Sequence, residues 1–327
     1  MSTPAESSPS SIVSDWKKWW HALSAARRWG PLAGVALFFI AHALLGGFRI
    51  DHALLGAAVL AVGYGGPMAA PWFRLLLPVV LMAVVYDGQG YVRSALHGHL
   101  TIHVSQPADW DRALFGITTN EGVLTPPEWW QRHAHPFLDV FCGATYLSFI
   151  PVFIGVALWM RRPGLDSARR AHTAESMTWA FFWLGLISCL TYYLYPAAPP
   201  WYLADYGPGP AVLEAAPSAA GAARADALLG TTIFAQFYAR SPNVFGAIPS
   251  LHVAIPLLAF VFSWRDHNLR WPLGAYTAVM AFSAVYLNHH YVVDLLWGAT
   301  YALGSAAAVT FWRRDPASAT TARSSAQ

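Results

Sequence analysis

Long apolar stretches separated by polar segments organise this chain. Eight of the stretches approach or exceed the about 20 residues that a helix needs to cross the hydrocarbon core of a membrane. They lie at residues 30–48, 52–70, 72–90, 137–160, 174–195, 247–264, 271–288 and 291–312. The pattern predicts an all-α fold, a multi-pass transmembrane helical bundle with about eight crossings.

The segments outside these stretches differ in character. The first eleven residues are rich in Ser and Pro and are predicted to be disordered, and Trp16, Trp19 and Trp20 then alternate with basic residues, as in an interfacial amphipathic helix. Residues 91–136 form a long loop in which Trp129 and Trp130 suit an interfacial helix. We therefore divide the chain into a tail with an amphipathic helix, N-terminal transmembrane helices, a loop, a second membrane domain and a C-terminal tail, at 1–29, 30–90, 91–136, 137–312 and 313–327.

Composition agrees with a membrane protein, because 56% of the residues are hydrophobic and only 11% are charged. The net charge of +3 comes from scattered basic residues, which excludes the clustered basic face of a nucleic-acid interface. Cys142 and Cys189 lie in separate apolar stretches, a spacing that favours neither a disulfide framework nor a zinc site. The expected partners are lipids of the bilayer, and the pattern says nothing of an oligomeric state.

The placement of Lys and Arg sets the orientation in the membrane. If both termini are cytoplasmic, only six of the 20 basic residues face outward: Arg49, Arg93, Arg112, Arg132, Arg224 and Arg240. Because cytoplasmic loops carry an excess of basic residues, we predict cytoplasmic termini. The beginnings of the sixth and eighth stretches then lie at the extracytoplasmic face, periplasmic or luminal.

Candidate chemistry lies at those two beginnings. His252 ends the run from Gly246, and His290 precedes Asp294 by four residues. Ionisable side chains at a membrane boundary are costly and indicate function. Two imidazoles can divide nucleophilic attack and proton transfer between them, and a carboxylate one helical turn away can orient one of them. We therefore predict His252, His290 and Asp294 as catalytic residues for phosphoryl transfer on a lipid.

Two further features of these motifs concern the binding of phosphate and of a metal ion. Pro249 and Ser250 predict a helix start before His252, where free backbone N–H groups favour a phosphate. A metal site formed by His289, His290 and Asp294 is the weaker alternative, because adjacent histidines on a helix point in different directions. We expect no metal.

The motifs resemble those of a known family. Pro249 to His252, together with Ser283 through His290 to Asp294, is similar to the second and third signature motifs of the type 2 phosphatidic acid phosphatase (PAP2) superfamily. Tyr195 to Tyr202, Ala223 to Asp226 and Ser241 to His252 resemble the fungal inositol phosphorylceramide synthases more closely. The resemblance covers about residues 140 to 305 and implies a six-helix catalytic core inside the domain over 137–312.

The resemblance implies a mechanism and further site residues. His290 would form a phosphohistidine with Asp294 orienting it, and His252 would serve as acid and then base. No metal or cofactor is implied. Candidates for binding substrate or phosphate are Ser250, Arg224, Arg240, His289, Tyr202 and Tyr286.

The chain also departs from the phosphatases of the superfamily. Their first motif supplies a Lys and an Arg, whereas this chain has Thr191, Tyr192 and Ala198 before its prolines, and Ala284 replaces the usual Arg after Ser283. Fewer cations favour a phosphodiester donor, which carries one charge, over a monoester, which carries nearly two. We therefore expect transfer of a headgroup phosphate, inositol phosphate from phosphatidylinositol, onto a lipid alcohol such as ceramide. A lipid phosphate phosphatase acting on phosphatidate or a polyprenyl diphosphate and a non-catalytic lipid-binding protein remain the alternatives.

Overall fold

The computed structural model describes residues 9–96, 98–162 and 167–313. The disorder predicted for the first eleven residues falls mostly on residues 1–8, which lie outside the described part. The same holds for the predicted C-terminal tail, of which only residue 313 is described.

Helices dominate the described residues, as predicted. Their bounds in chain order are α1 (Pro9–Ala22), α2 (Ala25–Leu44), α3 (Ile50–Tyr64), α4 (Ala70–Leu96), α5 (Gln106–Phe115), α6 (Pro126–Arg132), α7 (Pro136–Leu147), α8 (Phe149–Arg161), α9 (Ser167–Leu194), α10 (Pro200–Tyr206), α11 (Ala223–Leu229), α12 (Ile233–Tyr238), α13 (Leu251–Phe262), α14 (Arg270–Tyr286) and α15 (Val292–Trp312). A 3₁₀ turn covers Ala220–Ala222, and an antiparallel hairpin pairs β1 (Ile117–Thr119) with β2 (Gly122–Leu124), so the fold is mostly rather than wholly α.

All eight predicted apolar stretches contain helix, but they are not eight equivalent spans. Among the described residues, α4, α9 and α15 are long and apolar enough to cross a membrane. The stretch predicted as one crossing over 137–160 is the pair α7 and α8, bent by 51° at Ser148, and it makes a fourth span only if the pair is counted as one. The helices α3 and α13 are apolar but shorter.

The chain divides into two compact units, Met1–Leu77 and Pro78–Gln327. In the first unit α2 and α3 pack on each other, and Ser24 caps α2 by accepting a hydrogen bond from Arg27 N. The stretch predicted as an interfacial helix corresponds to α1 and the start of α2. Its Trp16 and Trp20 rings stack with centroids 5.4 Å apart, and Trp16 donates to the carbonyl of Tyr64.

In the second unit α13 is the central helix. It packs on α8, α9, α14 and α15, and its Ala254, Leu258 and Ala259 are fully buried. Small residues on such a face let neighbouring backbones come close, which is how helices associate tightly in lipid. The beginnings of α13 and α15 are thereby brought to the same end of the bundle.

Three loops cover that end and are joined through their backbones. Ala197 forms parallel bridges to His103 on one side and to Gly246 on the other. Ala197 N donates to Phe245 O at 2.9 Å, and Ala198 N donates to His103 O at 3.1 Å. Buried peptide groups need such partners, so segments distant in sequence form one layer.

A tight turn between α14 and α15 places two histidines side by side. Asn288, two residues after the end of α14, lies in the left-handed region with φ of 63°. Asn tolerates this conformation better than most residues. The N–H groups of His289 and His290 then both donate to the carbonyl of Ala284, at 3.1 and 3.2 Å. The turn therefore presents both rings just before α15 begins.

The contact between α13 and α15 depends on a glycine. A Cβ atom at Gly298 of α15 would collide with the backbone oxygen of Ser250, the residue that precedes α13. Ser250 N also donates to the carbonyl of Asp294 at 3.1 Å. The close approach at Gly298 therefore fixes the start of α13 against the first turn of α15.

We predict that Gly298→Ala lowers the free energy of unfolding by about 1–3 kcal/mol, the usual cost of overpacking, because the backbones of α15 and Ser250 must move apart. Thermal unfolding of the purified protein in detergent measures the change. Gly304→Ala is the matched control, since Gly304 lies on the same helix with no atom within 4 Å of its added Cβ. Equal stability of the two variants would contradict the prediction.

Candidate active site

His252, His290 and Asp294 meet at the covered end of the second unit. Nδ1 of His290 lies 3.3 Å from Oδ2 of Asp294, and Nε2 of His290 lies 3.4 Å from Nδ1 of His252. Asp294 is fully buried and is the third residue of α15, whereas His290 precedes the helix. The three residues, predicted together from the sequence, are thus in contact in the structure.

The carboxylate determines the state of the His290 ring. An ionised carboxylate such as Asp294 accepts hydrogen bonds and cannot donate one, so the proton of neutral His290 lies on Nδ1. The lone pair of Nε2 then points toward His252, whose Nδ1–H can donate to it. A nucleophile needs an unprotonated nitrogen with a lone pair, as Nε2 is here, and a carboxylate behind the ring stabilises the positive charge that forms after attack.

His252 and His289 belong to a stack of aromatic rings. Tyr146 of α7 stacks on His252 with centroids 3.8 Å apart and on His289 at 4.9 Å, and Tyr238 of α12 stacks on His289 at 4.5 Å. Nε2 of His289 lies 3.1 Å from the carbonyl oxygen of Ala219, to which it donates. Burial lowers the pKa of His289 to about 3, and repulsion by His290 adds to the effect. His289 is therefore a neutral donor.

A cavity of about 520 Å³ opens beside the histidines. Its wall includes Met82 and Tyr86 of α4, Phe181 of α9 and Ile255 of α13, and it also includes His252 and His290. A space of this size and apolar character suits part of a lipid molecule. Within the described wall Arg240 is the one Lys or Arg side chain, and the wall holds no cluster of three metal-ligating side chains.

Three of the other predicted residues lie close to the triad. Ser250 precedes α13 and is buried, with no hydrogen-bond partner for its hydroxyl among the described residues. His289 and Arg240 line the cavity. The structure therefore places Ser250 and His289 next to the three residues and Arg240 in the cavity wall, whereas Ser250 does not line the cavity itself.

Arg224, Tyr286 and Tyr202 lie apart from the cavity wall. Arg224 Nε donates to Oδ1 of Asp139 at 2.7 Å, and the hydroxyl of Tyr286 donates to the same oxygen at 2.8 Å. This network joins α7, α11 and α14. Tyr202 accepts a hydrogen bond from Val212 N at 2.7 Å within the covering loops. All three side chains are engaged in holding elements that surround the site.

A comparison with known protein families shows to which family the chain belongs. The family model of the PAP2 superfamily matches residues 120–308, which is more than half of the chain and includes both histidine motifs. The chain belongs to the PAP2 superfamily. The resemblance inferred from the motifs is thereby confirmed, and together with its candidate spans the membership makes this an integral membrane protein.

Several curated proteins are similar over most of the chain. A phosphoinositol dihydroceramide synthase of Bacteroides thetaiotaomicron is 32% identical over 275 residues, 82% of this chain and 87% of that protein. The inositol phosphorylceramide synthase catalytic subunits of Schizosaccharomyces pombe and Saccharomyces cerevisiae are 38% and 27% identical over 76% and 71% of this chain. The chain spans only 56% and 55% of those two fungal proteins. No solved structure gives a significant match.

One acidic residue beside the PAP2 triad is absent from the sequence prediction. Asp111 of α5 is fully buried, and its Oδ1 accepts a hydrogen bond from Val293 N, in the first turn of α15, at 3.1 Å. Burial raises the pKa of the Asp111 carboxyl to about 7; the hydrogen bond from Val293 opposes this, and the Asp294 carboxylate adds to it. Asp111 thus holds the beginning of α15, next to the carboxylate that orients His290.

The sequence does not mark Tyr146 or Asp111 as site residues, for two different reasons. Tyr146 lies within a continuous apolar stretch and has no local feature that marks it. Asp111 lies in a long loop, 183 positions before Asp294, so only the fold reveals their proximity.

We predict a pH-dependent stabilisation by Asp111→Asn. The pKa of the Asp111 carboxyl is about 7 in the folded protein, whereas that of an aspartate in an unfolded chain is about 3.9. The stability that protonated Asp111 contributes is therefore present in full below about pH 4. It is lost as the pH rises toward 7, because the unfolded chain ionises first. Asn keeps the acceptor for Val293 N without the charge. The thermal midpoint of the variant, minus that of the wild type, should therefore increase between pH 5 and pH 8.

Asp109→Asn, on the exposed side of α5, is the control, because its carboxylate faces solvent. A constant difference between Asp111→Asn and the wild type across this pH range would show that burial does not perturb the carboxyl.

Proposed function

We propose that this chain transfers inositol phosphate from phosphatidylinositol to a ceramide-type alcohol and releases diacylglycerol. The observation that carries the proposal is the His290 ring, held by Asp294 at Nδ1 and facing His252 through Nε2, in the wall of a largely apolar cavity. The similarity to phosphoinositol dihydroceramide and inositol phosphorylceramide synthases supports these substrates.

In the first step Nε2 of His290 attacks the phosphorus of the donor lipid. The bond between phosphorus and the diacylglycerol oxygen breaks, and protonated His252 gives its proton to that oxygen. His290 is left as a phosphohistidine that carries inositol phosphate. Asp294 stabilises the positive charge on its ring, because a buried carboxylate within hydrogen-bond distance favours the charged form.

In the second step the acceptor replaces diacylglycerol beside the phosphohistidine. Neutral His252 takes the proton of the acceptor hydroxyl as its oxygen attacks phosphorus. The bond between phosphorus and Nε2 breaks, so His290 returns to its neutral form and His252 to its protonated form. Exclusion of water by the apolar wall favours transfer over hydrolysis.

The scarcity of cations supports a phosphodiester donor. Arg240 is the one Lys or Arg in the described cavity wall, and Arg224 is paired with Asp139 outside it. One cation matches the single charge of a diester, whereas a phosphomonoester carries nearly two. Arg240 is therefore the residue that we assign to the donor phosphate, with the Ser250 hydroxyl as a neutral donor nearby, whereas the single N–H of neutral His289 is already donated to Ala219 O.

The proposed arrangement in the membrane follows the distribution of basic residues. With eight crossings and cytoplasmic termini, the starts of α13 and α15 lie at the extracytoplasmic face. Residues 30–90 would supply N-terminal transmembrane helices, residues 91–136 an extracytoplasmic loop, and residues 137–312 the catalytic domain with a six-helix core. Residues 1–29 would lie at the membrane surface.

A direct test uses phosphatidylinositol labelled in its phosphate, with ceramide as acceptor, and protein purified in detergent. The wild type should produce a labelled ceramide lipid and, before ceramide is added, an alkali-stable and acid-labile label on the protein. We expect His290→Ala to abolish the protein label and Asp294→Asn to lower turnover by about 1,000-fold or more, since the ring loses its fixed tautomer.

His267→Ala removes an exposed histidine between α13 and α14 and serves as the control, with turnover unchanged. Full labelling of His290→Ala would remove His290 as the nucleophile. Release of free inositol phosphate without a labelled lipid product would reject transfer in favour of hydrolysis.

A further inference from the structure

The side chain of one glutamine on α4 lines the cavity without a hydrogen bond to any described residue. Gln89 is only 2% exposed and lines the same cavity as His252 and His290. Both polar atoms of its side chain, Oε1 and Nε2, are buried and have no partner among the described residues. A buried amide left unpaired loses its hydrogen bonds to water without replacement, so its presence in an apolar wall calls for a partner that the described residues do not supply.

Two other polar residues of the cavity wall, Ser218 and Asn243, have partners within the chain. The Ser218 hydroxyl accepts a hydrogen bond from Ala220 N at 3.0 Å, and the Asn243 side-chain oxygen accepts one from Phe245 N at 3.0 Å. Such bonds shape the loops in which these residues lie. Gln89 differs, because it lies within the regular helix α4 and its side chain stabilises no loop.

The position of Gln89 along α4 fits the polar end of an amphiphile. Val79, Met82, Ala83 and Tyr86 line the cavity at helical spacing before it. From Val79 to Gln89 the helix rises about 15 Å. Gln89 therefore ends an apolar stripe long enough to contact a large part of an acyl chain.

The Gln89 end of α4 lies at the loops that cover the histidines. The carbonyl of Gln89 accepts a hydrogen bond from the hydroxyl of Tyr193, in the last turn of α9, at 2.9 Å. One turn further, Arg93 donates to the carbonyls of Leu213 and Pro242 in the covering loops. The amide is thus at the level of the polar headgroup rather than at that of the chains.

We propose that the Gln89 amide binds adjacent hydroxyl groups of a polyol headgroup and so selects an inositol phospholipid as donor. The inference rests on the proposed function. A primary amide presents one acceptor and two donors in a plane, so one hydroxyl can donate to Oε1 while its neighbour accepts from Nε2. Choline lacks hydroxyl groups and would leave the amide unpaired, a penalty that discriminates between donors.

Binding without turnover provides the first test. Dioctanoyl phosphatidylinositol should raise the thermal midpoint of the wild type in detergent more than dioctanoyl phosphatidylcholine does. In Gln89→Met, a variant of similar shape without hydrogen-bonding atoms, we expect the apparent affinity for the inositol lipid to fall about tenfold and that for the choline lipid to stay unchanged. Without lipid, this variant should unfold at a higher temperature than the wild type, because a buried unpaired amide is gone.

Turnover provides the second test. In Gln89→Met the KM for phosphatidylinositol should rise about tenfold while the KM for ceramide is unchanged. Gln236→Met, on an exposed position of α12 outside the cavity wall, is the matched control and should leave both constants unchanged.

Three outcomes would overturn the assignment. They are a wild type that does not distinguish the two headgroups, a Gln89→Met variant that distinguishes them as well as the wild type, and a rise in the KM for ceramide alone, which would place Gln89 against the acceptor's amide. A wild type that binds the inositol lipid selectively through Gln89 but forms no ceramide product would reject the proposed transfer and leave the headgroup assignment intact.

Discussion

The site depends on the buried carboxylate of Asp294. Its Oδ2 accepts a hydrogen bond from Tyr291 N at 2.8 Å and lies 3.3 Å from Nδ1 of His290. The first of these bonds caps the N-terminus of α15, where the helix dipole favours a negative charge. The same oxygen therefore determines where the helix begins and how the preceding imidazole is oriented. Helix formation and ring orientation are coupled because they share one acceptor.

The cavity beside Asp294 and His290 has few charged side chains in its described wall. An apolar wall raises the strength of each electrostatic interaction inside it, so one arginine and a few neutral donors can suffice for a singly charged phosphodiester. The same wall makes each unpaired polar group costly. The selectivity that we propose follows from this balance, since the few polar atoms present gain most from a ligand that satisfies them.

The sequence indicated that His252, His290 and Asp294 meet because each lies at the end of an apolar stretch, and stretch lengths place such ends at the same level in a bundle. Other features depend on tertiary contacts. The bend at Ser148 interrupts a continuously apolar run, so hydropathy alone predicts one helix there. Arg224 was expected near the phosphate, and its partner Asp139 lies 85 positions away. Gln89 did carry a local signal, a polar residue within a predicted crossing, which the rule for intramembrane polar groups could have identified.

The three loops over the site are joined to one another by peptide groups at their point of contact. His103, Ala197 and Gly246 meet through backbone bridges, and Ala197 N and Ala198 N donate to main-chain oxygens. Such bonds are indifferent to which side chain each residue carries, proline excepted. The exposed side chains of these loops can therefore change without breaking the bridges at His103, Ala197 and Gly246 that join the loops over the imidazoles. This separation gives evolution a route to new lipid specificities with unchanged phosphorus chemistry.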